Sequence, residues 1–462
     1  PTSAQTIEVW GHPSVTSISL NFISNTDISP IGDAVNSGFP CLDCNTNPVG
    51  AVEEYVYESL PISLPGIPIA TGWGFTWNSC CRNGAVSNLI LSSTISPSEG
   101  FTLRASMFPY IDSFGNLVPA DPCFDSSPVF KEQAKTILCT GYPFSYSNLG
   151  FDVELDSLSY SWDEPLDDFF GVFNPPVNPI LVPWLLPYNV NNPLPGGVTL
   201  DPISGEISYN SNIAGSFVSV IRSDAFKCGQ KVASIYREIQ VVLIGCGLLP
   251  SGFPNGPPII SAPIPTSGGQ NWVTTINPST LLPSYETTVM AGATIEFSVS
   301  AFDTDINTSG NLQLLTLEIE GGQLDPTLAL SNPATFTVGS SSPGNVSGDF
   351  YWESNCDHMQ DYGCGISGGA FTFNMKAYDD FCPANGIVIA TITINVTPPK
   401  PDLRCLSVDS FGGVELSLVY PDGVADTNIK YDIYHSKQYI GSYVLIDSIN
   451  FPDSIYYHSN SD

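Results

Sequence analysis

The stretch Thr294-Ile-Glu-Phe-Ser-Val-Ser-Ala-Phe-Asp-Thr-Asp305 decides the fold. Ile295, Phe297, Val299 and Ala301 alternate with Glu296, Ser298 and Ser300, so every second side chain is apolar. A period of two belongs to a strand with one buried face, not to a helix with its period of about 3.6. Related runs occur at Val15–Phe22, Tyr55–Leu64, Phe101–Phe108, Leu158–Trp162, Phe217–Arg222, Ile235–Ile244, Phe371–Tyr378, Ile387–Val396, Val414–Tyr420 and Tyr431–Tyr434. They are short, rich in Val, Ile, Thr, Tyr and Phe, and separated by Gly, Pro, Asn and Ser clusters. This predicts an all-β chain of tandem β-sandwich domains in an elongated array. Only Glu132–Leu138 has the pattern of a helical turn or two.

Composition narrows the function. The chain has 462 residues, with 45 acidic and 13 basic side chains and a formal charge of −32. Only 13% of residues are charged, so the acidity comes from missing bases. Thirteen bases make no face for nucleic acid. A hydrophobic content of 42% argues against a disordered chain. No window reaches the roughly 18 uninterrupted apolar residues of a membrane span. Twelve cysteines in an acidic background point to disulfides and an extracellular or cell-surface location. The chain starts at Pro1, which predicts a processed protein or a fragment.

Gly- and Pro-rich stretches mark joints at Leu248–Gly269 and Thr397–Asp402, with a weaker boundary at Leu117–Asp125. The expected domains are 1–117, 118–247, 248–398 and a partial domain 399–462. The insertion Asp167–Gly197 is too apolar for a free loop, and packing onto its own sandwich is favoured over a partner surface.

Three blocks together resemble one family. The first has Glu54-Tyr-Val-Tyr-Glu58 followed by Trp77-Asn-Ser-Cys-Cys-Arg-Asn-Gly-Ala85. The second has Cys139-Thr-Gly-Tyr-Pro-Phe-Ser-Tyr146, Asp156-Ser-Leu-Ser-Tyr-Ser161 and Leu200-Asp-Pro-Ile-Ser-Gly-Glu-Ile207. The third has Trp352, Cys356-Asp357 and Tyr378-Asp-Asp-Phe-Cys-Pro383. In order and spacing these are similar to modular gliding-motility-associated surface proteins of Bacteroidota, exported by type IX secretion. The resemblance implies Ig-, cadherin- and fibronectin III-like sandwiches on a secreted, surface-attached protein without enzymatic activity. Within it, 1–117 is a Cys-rich sandwich, 118–247 cadherin-like, 248–398 cadherin- or Ig-like, and 399–462 part of a fibronectin type III-like domain. In that last block Leu418 stands where such a domain carries tryptophan.

Calcium is the first candidate ligand. Asp303 and Asp305 follow a strand, as in the Asp-x-Asp of cadherin-like sandwiches, and Asp379 and Asp380 end another strand that could meet them. Hard carboxylate oxygens suit Ca²⁺, which takes about six to eight of them. Asp152 and Asp156 form a second candidate pair. Relatives often carry Asp-Pro-Asp-Gly-Asp there, and here Glu154 and Leu155 replace the central Asp and Gly. The competing reading is that these carboxylates cap turns. The disulfide candidates are Cys41, Cys44, Cys80, Cys81, Cys123, Cys139, Cys228, Cys246, Cys356 and Cys382. Cys356–Cys382 is the preferred pair in the third block, and one of Cys80 and Cys81 is expected to reach Cys41 or Cys44 and the other Cys123. Zinc held by Cys41-x-x-Cys44 with Cys80-Cys81 is the weaker alternative. Arg82 is expected in a structural ion pair. Ser448 and Ser454 fit the Asp-Ser-aliphatic pattern of O-glycosylation in that phylum.

Gly365-Ile-Ser-Gly-Gly369 fits a nucleophile elbow around Ser367, but that motif needs a strand before it and a helix after it. A glycine-rich hairpin is the expected structure. The expected function is therefore a non-enzymatic structural or adhesive surface protein: a stalk, fibre, filament subunit or gliding adhesin. Its expected partners are copies of itself, other surface proteins and surface glycans. The alternative is a carbohydrate-binding region of a larger secreted enzyme, with Trp73, Trp77, Trp162, Trp184, Trp272 and Trp352 as stacking candidates.

Overall fold

The computed structural model describes residues 4–48, 50–79, 82–91, 100–120, 124–133, 135–167, 180–246, 248–249, 252, 254–267, 270–361, 366–398, 402–410, 413–419, 430–435, 444–450, 453 and 455–459. The chain is an all-β protein of tandem sandwich sheets. The deciding stretch forms the strand Thr294–Phe302, and its alternate residues Ile295, Phe297, Val299 and Ala301 are all buried. It pairs antiparallel with Asn345–Glu353 in a five-stranded sheet. The facing six-stranded sheet contains Leu315–Glu320, Ile366–Asp379, Ile387–Thr397 and Pro283–Met290. Phe371, Phe373, Met375, Ile392 and Ile394 from that sheet close the core around fully buried Trp352. Phe297 stacks on Phe350 at 4.6 Å, and Phe350 meets Phe373 edge-on at 5.3 Å. Such offset and edge contacts are the favourable geometries for aromatic rings.

The first sheet has eleven strands. Its main path runs Ser157–Trp162, Gly215–Lys227, Gln230–Ile244, Phe101–Met107, Trp73–Ser79, Gln5–Trp10, Ser17–Asp27 and Glu53–Glu58. Strands from both sides of Leu117 thus share hydrogen bonds, with Met107 opposite Ala233 and Ala105 opposite Ile235. A three-stranded sheet, Val198–Leu200, Glu206–Asn210 and Pro143–Ser147, covers the second core of Phe144, Tyr146, Ile207, Phe217, Ile221, Ile239 and Val241. Ile389 of Ile387–Thr397 also enters that core, so the second and third blocks pack on each other. In the last block, three strands (Asp402–Val408, Val414–Val419, Ile455–His458) and a hairpin (Lys430–His435, Val444–Asn450) form two small sheets.

Local readings differ from the structure in three places. The expected helical turn at Glu132–Leu138 is instead the strand Lys135–Cys139, parallel to Gln230–Ile244. Pairing with a long neighbour, and burial of Ile137 and Leu138, outweigh its local helical pattern. The Pro-rich connector Leu248–Gly269 is not a free linker. Its Ile259–Ile260 and Ile264–Ser267 add to the edge of Thr294–Phe302, where proline is tolerated. Finally, Cys382 is bonded to Cys41, not to Cys356. The chain before the first sheet's Glu53–Glu58 strand folds back onto the third block, with Asp33 N donating to the Asp380 carbonyl at 2.7 Å. That approach, spanning 341 residues, is invisible to local spacing.

Candidate cation sites at the strand ends

Three elements converge where Thr294–Phe302 and Ile366–Asp379 end. Asp303 Oδ1 accepts from Asp305 N at 2.8 Å, closing a tight turn after the strand. Asp305 Oδ2 accepts from Gly256 N at 2.8 Å. Asp379 accepts from Asn255 Nδ2 at 2.7 Å, Phe381 N at 2.9 Å and Gly386 N at 3.0 Å. Asn255 Oδ1 in turn accepts from Gln313 Nε2 at 2.7 Å. Gly386 is obligatory here, because a Cβ would collide with the Gly256 carbonyl and the Asp379 carboxylate. Burial pushes the Asp379 carboxyl up to about 8, and the Asp303 charge adds to this. Burial also raises Asp303, with Asp305 contributing. Two buried oxygens, Asp303 Oδ2 and Gln313 Oε1, have no hydrogen-bond donor.

The structure therefore brings Asp303, Asp305 and Asp379 to one place. Asp380 faces another way: its carboxylate accepts from Leu314 N at 3.3 Å, and its backbone carbonyl holds Asp33. Among the described residues, no group of three or more His, Cys, Asp and Glu side chains is arranged to hold a metal. Any cation here would need amide oxygens as well as carboxylates. Asn255 and Gln313 were not singled out by sequence. Asn255 sits in Pro254-Asn-Gly-Pro-Pro258, a pattern that reads as a linker, and Gln313 belongs to no motif.

The second acidic site has a lysine beside it. Asp152 Oδ1 accepts from Glu154 N and Asp156 N, both at 3.0 Å. Leu155 takes φ 63°, the left-handed conformation for which the related pattern uses glycine. Lys227 Nζ lies 3.4 Å from Asp156 Oδ1 and 3.2 Å from Asp125 Oδ1. The Lys227 side chain thus stands beside one of the two carboxyls expected to hold calcium.

Among the described residues, Cys41 is bonded to Cys382 and Cys139 to Cys246, and Cys228 is also disulfide-bonded. Cys44 is a free thiol. With Cys41 oxidised, the four-cysteine zinc alternative loses a ligand. Cys80, Cys81, Cys123 and Ser454 lie outside the described residues. Ser448 Oγ donates to Asp432 Oδ1 at 2.6 Å on the neighbouring strand. Arg82 forms a buried ion pair with Glu238 and donates to the Leu166 carbonyl at 3.1 Å. In the described part of the insertion, Val182 and Leu194 are buried while Leu186 is 86% exposed.

Ser367 lies in an antiparallel hairpin opposite Gln360, so its backbone is not that of a strand–turn–helix elbow. Of the six tryptophans considered for sugar stacking, Trp73 and Trp352 are in the cores. Trp77, Trp162, Trp184 and Trp272 are half-buried. Trp184 Nε1 is engaged by Glu164, and the Trp272 ring packs on Phe297 at 5.2 Å.

No family model matches the chain, and no curated protein matches it. Solved structures with similar sheets include EC1–3 of Drosophila N-cadherin, at 12% identity and TM-score 0.18, covering 59% of this chain and 69% of that one. Domains A168–A170 of titin match at 10% identity and TM-score 0.17, covering 72% and 88%. The sialic acid binding region of a Streptococcus sanguinis SK1 adhesin matches at 11% identity and TM-score 0.18, covering 64% and 93%. The fold class stands on the sheets themselves. No helix among the described residues is long and apolar enough to cross a membrane.

Proposed function

We propose that the chain is a non-enzymatic structural or adhesive protein of the bacterial cell surface, working with copies of itself or with other surface proteins. The observation that carries this reading is the Cys41–Cys382 bond, which clamps the first block to the third across 341 residues. A covalent clamp between sheets suits a secreted protein that bears load outside the reducing cytoplasm. Attachment to the gliding-motility-associated, type IX-secreted family rests on the motifs around Cys80-Cys81, Cys139–Tyr146 and Tyr378–Pro383. Negative-stain microscopy of the native material tests the assembly: long regular fibres are expected, and isolated particles would overturn the filament reading.

Calcium belongs to the same proposal. Asp303 Oδ2 and Gln313 Oε1 are the buried oxygens free to face a cation, and Asp379 is the carboxyl whose ionisation that cation would favour. Thermal melting with Ca²⁺ and with a chelator is the check. A higher midpoint with Ca²⁺, lost in Asp303→Ala, is expected, and an unchanged midpoint rejects the site.

A further inference from the structure

Lys227 ends the strand Gly215–Lys227, and Asp156 immediately precedes its partner strand Ser157–Trp162. Asp125 reaches the same point from the segment before Val129–Phe130. That segment is fixed by Glu154, whose carboxylate accepts from Ser126 N at 3.2 Å and Ser126 Oγ at 2.8 Å. The three reacting side chains are sealed from water, with exposures of 3% for Lys227, 2% for Asp125 and 0% for Asp156. The ammonium nitrogen is within 3.4 Å of an oxygen of each carboxyl group.

We propose that Lys227 and Asp125 are joined by an intramolecular amide bond, formed with Asp156 as the proton carrier. Burial first, and then Asp156, pushes the Asp125 carboxyl upward and so favours its neutral form. The proposed step starts from one ammonium, one neutral carboxyl and one carboxylate. Asp156 takes a proton from Lys227 and frees the amine lone pair. Nζ attacks Asp125 Cγ, forming the C–N bond. Asp156 passes its proton to the departing hydroxyl and takes the second amine proton. The Cγ–OH bond breaks and water leaves. No electrons are gained or lost, and the net charge of the set is zero before and after. The product is a neutral buried amide beside a neutral Asp156, where two buried charges stood before. Burial of charge is costly, so desolvation favours the product. Fixed neighbours at contact distance supply the effective concentration that an amine and an acid lack in free solution. The bond would tie the strand end to the segment entering the second core, beside a cysteine, Cys228, that is already disulfide-bonded.

Mass spectrometry of the full chain tests this without any variant. After reduction and denaturation, the chain is expected to be lighter than its sequence mass by one water. Trypsin is expected to leave Lys227 uncut and to release residues 105–131 joined to residues 223–231 as one branched peptide. A full sequence mass, cleavage at Lys227, or a missing water found on a linear peptide would each overturn the bond. Asp156→Ala, checked for native near-ultraviolet circular dichroism, is expected to keep the full mass. A folded variant still lacking one water would remove Asp156 from the mechanism.

Discussion

Asp125 and Asp325 carry the same carboxyl group and are driven in opposite directions. Asp125 is sealed beside a second acid. Asp325 is partly exposed, and its carboxyl is lowered to about 2 by hydrogen bonds, first from Lys131 Nζ at 2.7 Å and then from Thr327. The folded value lies below the ordinary 3.8, so the contact stabilises the fold above that pH and is lost as pH falls toward 2. With both side chains roughly a quarter exposed, solvent and salt screen the pair, and its contribution is small. In Lys131→Met the Asp325 titration midpoint, followed by NMR, is expected to rise. A midpoint that stays put would assign the shift to Thr327 alone. At this scale the sequence was partly legible. Arg82 in a base-poor block points to an ion pair, and Glu238 provides it. The partners of Asp379 and Asp305, by contrast, include Asn255 and Gly256, which no motif marks.

Elements were the most legible level, because a half-buried strand writes its period into the chain. Thr294–Phe302, Ile366–Asp379 and Ile387–Thr397 all lie where alternation or an apolar run places them. Lys135–Cys139 was not legible, since its conformation is imposed by parallel pairing with Gln230–Ile244. The short helix Ala34–Ser37 was also missed. It is a single turn capped by Asp33, whose Oδ1 accepts from Val35 N and Asn36 N, and ended by Gly38 at φ 76°. This turn is held against the third block by the Cys41–Cys382 bond. Replacing both cysteines by serine is expected to cost about 2–5 kcal/mol in denaturant unfolding. Residues 28–52 should then be cut faster by protease. Unchanged cutting would show that Asp33, Ser37 and Asp380 hold the turn unaided.

For the whole molecule, the second and third blocks meet through a buried polar network. Lys376 Nζ donates to Glu132 Oε1 and Glu320 Oε2, each at 2.7 Å, and Asn374 Nδ2 donates to Glu132 Oε2 at 2.7 Å. Arg237 reaches the Glu132 carbonyl. Removing one member strands the others, so Glu132→Ala is expected to lose about 3–5 kcal/mol in denaturant unfolding. A loss below about 1 kcal/mol would mean the network is solvated rather than sealed. What the sequence by itself determined is the all-β class, most strand positions and the base-poor, cysteine-containing composition. These depend on side-chain period and composition, which are local properties. Tertiary structure alone decided that strands on both sides of Leu117 share one sheet, that Cys41 finds Cys382, and that Lys227 lies between Asp125 and Asp156. Each is a meeting of residues roughly 70 to 340 positions apart. Such contacts follow from how whole sheets pack to bury their faces, and nothing in the spacing of the residues encodes them.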